Sequence, residues 1–383
     1  MYWNRCYDLW RITNDSIIKS ELKKLNIECK SFNGSLLWEP WLVLKKDKSP
    51  YKVFTPFYNN GCLQSSPPRC PIPAPKNLTL VKDTFNKTTI ENFGLLPKVK
   101  WYKPIEKCWN IGEKAAHSKL IEFLDYGLEG YKEDRNYPFK KNVSRLSPHL
   151  HFGEISPNQA WHSAKTASIN NSSIKDTDCF LSELGWREFS HSLLYHFPDL
   201  VNKNFQSKFD KFPWQNNQDF LRAWQIGETG YPIVDAGMRE LWKTGYMHNR
   251  VRMIVGSFLV KNLLIHWHHG RDWFWDCLID ADLANNSSGW QWIAGSGVDA
   301  APYFRIFNPI TQGEKFDKDG EYTRYFVPEL KLLPNKYLFK PWQAPESILK
   351  DCGIVLGKNY PNPIVNLEKS REIALQAYKK ILK

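Results

Sequence analysis

The spacing of apolar residues predicts a chain that is helical over most of its length. From about residue 111 onward, apolar positions recur every three to four residues, as expected of amphipathic helices. Residues typical of helix ends predict three helices in particular. The first covers 178–197, with Thr177 or Asp178 as its N-cap and Pro198 just beyond its end. The second runs from Pro232 to Gly245, and the third from Asn249 to about Ile265.

The first sixty residues have a different pattern, one helix followed by one short strand. Apolar residues from Trp10 to Leu25 have helical spacing, and Glu28 to Phe32 is typical of a strand closed by the turn residues Asn33 and Gly34. A parallel α/β sheet needs several such units to bury both of its faces. We therefore expect residues 1–63 to be the remnant of an α/β domain whose first half is missing.

Proline separates these two patterns. The stretch from 64 to 100 contains two Pro-rich runs and Pro97, which disfavour regular structure and favour an extended linker. The predicted organisation is a remnant α/β domain at 1–63, a connector at 64–110 and a helical domain at 111–383. The predicted fold class is mainly α.

One stretch within the helical part fits neither helical nor strand periodicity. Residues 280–309 read DADLANNSSGWQWIAGSGVDAAPYFRIFNP, with paired aspartates, paired asparagines and a Trp-x-Trp pair in thirteen residues. Polar groups of fixed hydrogen-bonding character beside large aromatic faces suit a flat ligand rich in heteroatoms. This combination predicts a cofactor site.

Composition adds a preference for polyanionic partners. The net charge is +12, which favours nucleic acid first and an acidic membrane surface second. Aromatic residues make up 15% of the chain, and such side chains serve both as core and as stacking platforms for bases and cofactor rings.

Cysteine usage and the N-terminus favour a reducing setting, either the cytoplasm or the nucleus. None of the eight cysteines forms a C-x-x-C pair, and no Cys/His cluster has zinc-ligand spacing, so no metal site is expected. The N-terminus lacks the features of a secretory leader, and no apolar run approaches the ~18 residues that span a bilayer. We expect a monomer without membrane contact.

Two predicted helices carry side chains suited to ligand binding. Glu183, Trp186 and Arg187 share one helical face, either as an exposed ion pair beside a core tryptophan or as an aromatic platform flanked by an acceptor and a cation. Asn249 and Met253 share a face of another helix and suit a pocket wall, although Met253 alone fits a core position equally well. Arginines 250 and 252 in the same first turn are poorly placed for the helix dipole and better placed for an external phosphate. His248 fits a capping or core role better than catalysis.

Together these motifs resemble the photolyase/cryptochrome family, and most of all class I cyclobutane pyrimidine dimer photolyases. The resemblance extends from about residue 3 to 345. Its blocks are SRLSPHLHFGEISP (144–157), ELGWREF (183–189), TGYPIVDAGMRELWKTGYMHNRVRM (229–253), and the 280–309 stretch with TQGEKFD (311–317) after it. Four ordered blocks are far more specific than any one motif.

The resemblance implies an all-helical domain that binds FAD. Residues matching the family's flavin-binding positions are Tyr131, Ser144, Arg145, Leu146, Ser147, Glu183, Arg187, Asp280, Ala281, Asp282 and Asn286. Asn286 matches the residue facing flavin N5, where an amide could bond either protonation state by flipping. The position before Ser144, usually Thr in the family, is Val143 here.

The resemblance also implies a DNA site and an electron-transfer chain. Residues matching the lesion-binding and DNA-contacting positions are Arg135, Trp186, Asn249, Arg250, Met253, Trp292 and Gln312. Trp290, Trp267 and Trp214 match the tryptophans that carry electrons between flavin and surface. The implied activity is light-driven repair of UV-damaged DNA, in which excited FADH⁻ donates an electron that splits the dimer, with Glu183 stabilising the dimer radical anion.

Three alternatives remain. A cryptochrome-like blue-light receptor would bind flavin without repairing DNA. A six-four photoproduct photolyase would be expected to use histidines near the positions of Asn249 and Met253. A helical DNA-binding module without enzymatic activity would explain the charge but not Asp280, Asp282 and Asn286.

The short N-terminal part departs from the family pattern. Family members begin with a complete α/β antenna domain, whereas this chain enters it at about Tyr2. Arg11 lies near the position where folate-binding relatives carry a Glu. We therefore expect no antenna chromophore, whether folate or deazaflavin, and aggregation through exposed strand edges.

Overall fold

A computed structural model describes residues 1–79, 89–170, 173–300 and 304–382. Within these ranges the chain is mainly helical. The α-helices of the first half are α1 (Leu9–Lys24), α2 (Phe54–Pro56), α3 (Lys103–Glu106), α4 (Glu113–Tyr126), α5 (Tyr131–Asp134), α6 (Ser147–Phe152), α7 (Pro157–Asn170) and α8 (Ile174–His196). Those of the second half are α9 (Gln218–Ile226), α10 (Pro232–Thr244), α11 (Asn249–Ser257), α12 (Trp267–Cys277), α13 (Leu283–Ala294), α14 (Pro309–Phe316), α15 (Glu321–Phe326), α16 (Asn335–Leu338), α17 (Glu346–Asp351) and α18 (Leu367–Ile381).

Shorter helical turns complete the described part. The π-helices are Phe57–Cys62 and Phe258–Asn262, and the 3₁₀-helices are Ile90–Phe93, Pro198–Val201, Ser207–Lys211, Pro328–Leu330 and Pro341–Gln343. Among the described residues, no helix combines the length and the apolar content needed to cross a bilayer.

The N-terminal part is a β-α-β unit, with one strand more than the sequence predicted. Strands β1 (Tyr2–Asn4) and β2 (Lys30–Phe32) pair in parallel, with Trp3 opposite Ser31, and α1 connects them. Helix α1 contains no fully buried residue, and its apolar side chains Leu9, Trp10, Ile17 and Ile18 are exposed. The prediction of one helix followed by one strand is confirmed, with ends shifted by one or two residues.

The predicted ends of α8 and α10 are partly confirmed. Helix α10 begins with Pro232 in its first turn and ends at Gly245, whose φ of 66° is the left-handed conformation expected there. Helix α8 ends before Pro198 as predicted, but the predicted N-cap is wrong. Ser173 precedes the helix, and Thr177 is buried within it, because burial against the core extends the helix by one turn.

The single helix predicted from Asn249 to Ile265 is two elements. The α-helix α11 ends at Ser257 and a π-helix follows to Asn262, after which Leu264 adopts a φ of 54°. Apolar periodicity does not distinguish these turns, because a π-turn widens the helix by only one residue. The wider turn buries Lys261 and Asn262 together with the apolar residues around them.

The hydrophobic core has two large parts with one helix between them. One part is built on α9 to α12 and includes Trp224 and Trp267, and the other is built on α4 to α8. Helix α13 contributes Ala284 to the second part and Trp290 to the first. Helix α13, which contains residues 283–294 of the unusual 280–309 stretch, therefore lies between these two parts of the core.

Residues 36–62 pack with the helical part. Trp38, Phe57 and Cys62 are buried in the same cluster as α4, α7 and α8. The boundary proposed at residue 63 stays a prediction, but no separate core begins there among the described residues. The connector from 64 to 79 is irregular as predicted, residues 80–88 lie outside the described residues, and the turn at Ile90–Phe93 interrupts the rest.

Candidate functional site

A cavity of about 460 Å³ opens between α8, α11 and α13. This volume lies in the range of sites for small molecules and cofactors. Predicted site residues that line it are Arg135, Glu183, Trp186, Asn249, Met253, Asp280, Ala281, Asp282, Asn286, Trp290 and Trp292. The structure thus brings together side chains that are up to 157 positions apart in the sequence.

Helix α8 presents Glu183 and Trp186 to the cavity. Glu183 forms an ion pair with Arg135 rather than with Arg187. Burial disfavours the charge of Arg135, but the hydrogen bond and the charge of Glu183, together with smaller contributions from Tyr131 and Cys179, raise the pKa of this guanidinium. Two groups with separately predicted roles, one for lesion chemistry and one for DNA contact, therefore form one charged pair at the cavity wall.

Arg187 is directed away from the cavity. Its Nη1 donates to the carbonyl oxygen of Ser35 at 2.6 Å and lies 3.4 Å from Oε1 of Glu188. Glu188 accepts the backbone N–H groups of Leu37 and Trp38. Arg187 is not among the lining residues, so its cofactor contact stays a prediction, and in this arrangement the side chain fastens α8 to the N-terminal part.

The predicted phosphate turn lies beside the cavity. Arg145 adopts a φ of 51°, and its guanidinium lies 4.7 Å from the ring centroid of Tyr246. Ser147 Oγ donates to Asp280 Oδ2 at 2.6 Å, which attaches the turn to the cavity wall. Ser144 Oγ accepts from the backbone N–H of Leu146, whose own side chain is core.

Tyr131 is also a core residue. It is buried against Phe123 and Phe180, and the surrounding apolar groups raise the pKa of its hydroxyl. Tyr131 is not among the residues that line the cavity, so its contact with the cofactor stays a prediction.

Asp280 is held by an arginine that the sequence indicated only as a phosphate ligand. Arg252 Nη2 donates to both carboxylate oxygens of Asp280, at 2.9 and 3.2 Å, and its Nε donates to Met247 O. Burial opposes the charge of Arg252, but Asp280 raises the pKa of the guanidinium. A fixed, partly buried ion pair thus forms one edge of the cavity.

Asp282 begins α13. Its Oδ1 accepts the backbone N–H of Asn285 at 2.8 Å, and its Oδ2 lies 3.4 Å from His191 Nε2 and 3.8 Å from His151 Nδ1. Burial raises the pKa of this carboxyl, but the two histidines and Arg187 hold it well below its ordinary value. The anion suits the positive end of the α13 dipole and keeps the helix start rigid.

Asn286 lies one turn further along α13 with its amide orientation fixed. Its Nδ2 donates to Arg271 O at 3.0 Å. A carbonyl oxygen only accepts, so this bond fixes which side of the amide faces Arg271, and it leaves the amide oxygen and the second N–H of Asn286 for a ligand. This geometry opposes the predicted amide flip.

The three predicted electron-transfer tryptophans lie in order from the cavity outward. Trp290 lines the cavity and packs against α12 at Gly270, where an added Cβ would lie 2.1 Å from the indole. Trp267 is fully buried one turn earlier on α12. His266 then lies between Trp267 and the half-buried Trp214, with ring centroids 5.7 and 5.0 Å away.

The predicted DNA-contacting residues Arg250 and Gln312 lie outside the cavity lining. Arg250 donates to Asn136 Oδ1, and its guanidinium lies 4.4 Å from the ring of Phe316 on α14, the helix that carries Gln312. Burial and the neighbouring Arg135 lower the pKa of Arg250. His248 is the N-cap of α11, as expected, because its Nδ1 accepts from Arg250 N.

Comparison with known proteins decides the family. Residues 180–380 match the FAD binding domain of DNA photolyase, and residues 1–76 match the DNA photolyase model. The chain is 50% identical over 382 residues to a deoxyribodipyrimidine photo-lyase of Agrobacterium fabrum, covering 100% of this chain and 79% of the relative. The chain belongs to the photolyase/cryptochrome family.

Other members refine this assignment. Cryptochrome-2 of Arabidopsis thaliana is 38% identical, and the match covers 98% of this chain but 63% of that relative. The crystal structure of a class III photolyase from Agrobacterium tumefaciens superposes with a TM-score of 0.95 at 49% identity, covering 100% of this chain and 79% of that one. The expected similarity to class I is therefore corrected: this photolyase-like chain resembles a class III structure. The mainly helical fold with a helical FAD-binding domain is confirmed.

The cavity of this photolyase family member suits a flavin in its polar groups. Ser288 Oγ lies in the lining, buried and without a hydrogen-bond partner among the described residues. The amide oxygen of Asn286 and the Arg252–Asp280 pair add an acceptor and a fixed dipole. A flat ring with several hydrogen-bonding edges would satisfy all three.

Several lining residues were not predicted from the sequence. They are Ser190, Leu193, Leu200, Phe205, Phe274, Asn285, Gln291 and Ile293. Most are apolar residues at ordinary core spacing, so the sequence gives no sign that they face a cavity. For Asn285 and Gln291, nearness to Asn286 in the sequence was an available indication.

Proposed function

We propose that this protein is a light-driven DNA repair enzyme that binds FAD and splits cyclobutane pyrimidine dimers. The observation that carries the proposal is that one cavity is lined both by the Asn286 and Arg252–Asp280 set and by Trp186 and Trp292. The first set suits a flavin, and the tryptophan pair suits stacked bases. The relatives named photo-lyases support the same activity.

The chain's residues would hold and orient the cofactor. Bound FAD would supply the electron for dimer splitting after absorbing light. Arg252, Asp280 and Asp282 would bind the polar edge of the ring, and Asn286 would accept a hydrogen bond from a protonated ring nitrogen. Trp290, Trp267 and Trp214 would return electrons to the site from the surface.

Other residues would bind the damaged DNA. Trp186 and Trp292 would stack on the extruded dimer, which costs less to unstack than an intact pair. Asn249 and Met253 would line the pocket, and Arg250 and Gln312 would contact the backbone outside it. Glu183, paired with Arg135, would stabilise the charge that develops on the dimer.

A repair assay tests the proposal. The purified chain is reconstituted with FAD and photoreduced, and thymine dimers in an oligonucleotide are counted under near-UV light and in darkness. Light-dependent loss of dimers supports the proposal. Bound flavin without repair would contradict it and favour a receptor like Cryptochrome-2. Repair of six-four photoproducts would favour a six-four photoproduct photolyase instead. His248, the histidine next to Asn249, is however a buried helix cap and not a pocket residue.

The remaining properties are proposals of the same kind. We infer a monomer that acts on DNA in the cytoplasm and associates with the nucleoid through its charge of +12. We also infer that the chain holds no folate or deazaflavin antenna. An absorption spectrum of the purified protein with bands beyond those of flavin would contradict this inference.

A further inference from the structure

One short N-terminal segment supports the cavity wall from behind. This backing segment, residues 51–58, contacts the wall at three places. Lys52 Nζ lies 5.3 and 5.5 Å from the rings of Phe197 and Phe205, and Phe205 lines the cavity. Phe54 provides the other two contacts, through its ring and its backbone N–H.

The ring of Phe54 stacks on Trp186. The two ring centroids are 3.8 Å apart and the planes differ by 9°. Trp186 is one of the described residues that line the cavity, and Phe54 is not. Phe54 therefore covers the face of the indole that is turned away from the cavity, and it leaves the other face for a ligand.

Phe54 is itself held by a third ring and by the backbone of α8. Tyr58 stacks on Phe54 with centroids 5.6 Å apart and planes within 11°. Tyr58 lies against Gly185, where an added Cβ would be 2.5 Å from the tyrosine ring. This explains a glycine inside α8 at a cost of about 1 kcal/mol relative to alanine. The stack of Tyr58, Phe54 and Trp186 needs that space.

The backbone of Phe54 is fixed as well. Its N–H donates to Asp299 Oδ2 at 3.0 Å, and Asp299 adopts a φ of 54°. Gly297 and Val298, just before Asp299, line the cavity. One residue thus connects the indole on α8 with the loop that follows α13 and also lines the cavity.

We propose that Phe54 is a positioning residue that holds the Trp186 indole ready to stack on the extruded dimer. The inference rests on the proposed function. An indole already fixed by stacking loses less freedom when a ligand binds its open face, so affinity is gained through preorganisation. Since undamaged DNA places no base in the pocket, Phe54 should affect binding of damaged DNA only.

The test compares three variants in dark binding assays with the flavin-loaded protein. Phe54→Leu removes the ring, Phe54→Tyr retains it, and Tyr51→Leu is the matched control, since Tyr51 is a half-buried aromatic of the same segment whose ring contacts Phe57 instead. Each protein binds a duplex with one thymine dimer and the same duplex without it. Flavin content and melting temperature are measured alongside.

We expect Phe54→Leu to weaken binding of the dimer duplex by roughly three- to tenfold and to leave binding of the undamaged duplex unchanged. Phe54→Tyr and Tyr51→Leu should both retain the wild-type preference for the dimer. The proposal is overturned if Phe54→Leu keeps the full preference, or if Tyr51→Leu loses it equally. A wild-type protein without any preference for the dimer would instead overturn the proposed function, and this inference with it.

Discussion

At the scale of single residues, the site depends on hydrogen bonds that fix side chains before any ligand arrives. Arg271 O selects the amide hydrogens of Asn286, and Ser147 and Arg252 both hold Asp280. Preformed polar groups of this kind bind a ligand without reorganising. Roles at this scale are therefore testable by single substitutions that spare the fold.

Glu183 provides one such test. We expect Glu183→Ala to lower the number of dimers split per absorbed photon while flavin content stays near that of the wild type. The reason is that its carboxylate lies at the cavity wall, not in the core. Glu133→Ala, an exposed acid close to Arg135 in sequence, is the control. Loss of flavin from Glu183→Ala alone would assign the residue a structural role.

Substitution of Trp267 tests the role of the three tryptophans in electron transfer. We expect Trp267→Phe to slow light-driven reduction of the flavin by an external reductant at least tenfold, because phenylalanine is much harder to oxidise than tryptophan. Repair by chemically reduced protein should be unchanged. Trp224→Phe is the matched control, since Trp224 is equally buried and its indole also donates one hydrogen bond, to Val255 O. Equal slowing in both variants would contradict an ordered chain.

At the scale of secondary-structure elements, buried charges join one element to another. Glu188 joins α8 to residues 37 and 38, and Lys261 joins the π-helix Phe258–Asn262 to the segment at Arg305. Each group is almost fully buried. The free energy of unfolding should therefore depend on pH in a way that identifies each contact.

The raised pKa of Glu188 predicts that the free energy of unfolding falls as the pH rises. Burial raises the pKa of its carboxyl from 4.5 to about 7, although Arg187 and the two backbone N–H groups oppose the rise. The folded protein then binds this proton more tightly than the unfolded chain does. The free energy of unfolding should fall by roughly 3 kcal/mol between pH 4.5 and 7. Urea titrations should show a smaller fall in Glu188→Gln; an unchanged fall would contradict the assignment.

The lowered pKa of Lys261 predicts that the free energy of unfolding rises with pH in a higher pH range. Burial, with the nearby Arg305, lowers the pKa of its ammonium from 10.5 to about 7. The unfolded chain binds this proton more tightly, so the free energy of unfolding should rise between pH 7 and 10.5, by roughly 3–5 kcal/mol. Lys261→Met should abolish that rise in the same titrations, and substitution of an exposed lysine, Lys211→Met, should leave it intact.

At the scale of the whole molecule, apolar surface is unevenly distributed. Helix α1 exposes Leu9, Trp10 and Ile17, each more than half accessible, whereas α13 is enclosed between the two main parts of the core. Contiguous exposed apolar surface promotes self-association. The site and the exposed surface lie in different parts of the chain.

This distribution predicts aggregation that can be removed without harm to the site. We expect the double substitution Trp10→Glu and Ile17→Lys to raise the concentration at which light scattering begins, because both side chains face solvent. Flavin content and melting temperature should not change, since α1 buries no residue. A loss of flavin would show that α1 supports the helical part.

The sequence by itself determined most of the fold and the identity of the chemical groups. Helical periodicity located α8 and α10, Gly245 and Pro198 marked their ends, and the 280–309 stretch indicated a polar and aromatic site. These features depend on residues that are close together in the sequence, so the local spacing of residue types is enough to predict them. The motifs of the family also indicated eleven of the residues that line the cavity.

Only the tertiary structure decided which partners these groups have. It paired Glu183 with Arg135, turned Arg187 towards Ser35, fixed the Asn286 amide on Arg271, and stacked Phe54 on Trp186. Partners that lie 15 to 152 positions apart leave no periodic trace in the sequence. Their pairing depends on how whole helices pack, and packing is decided by shape and burial across the molecule.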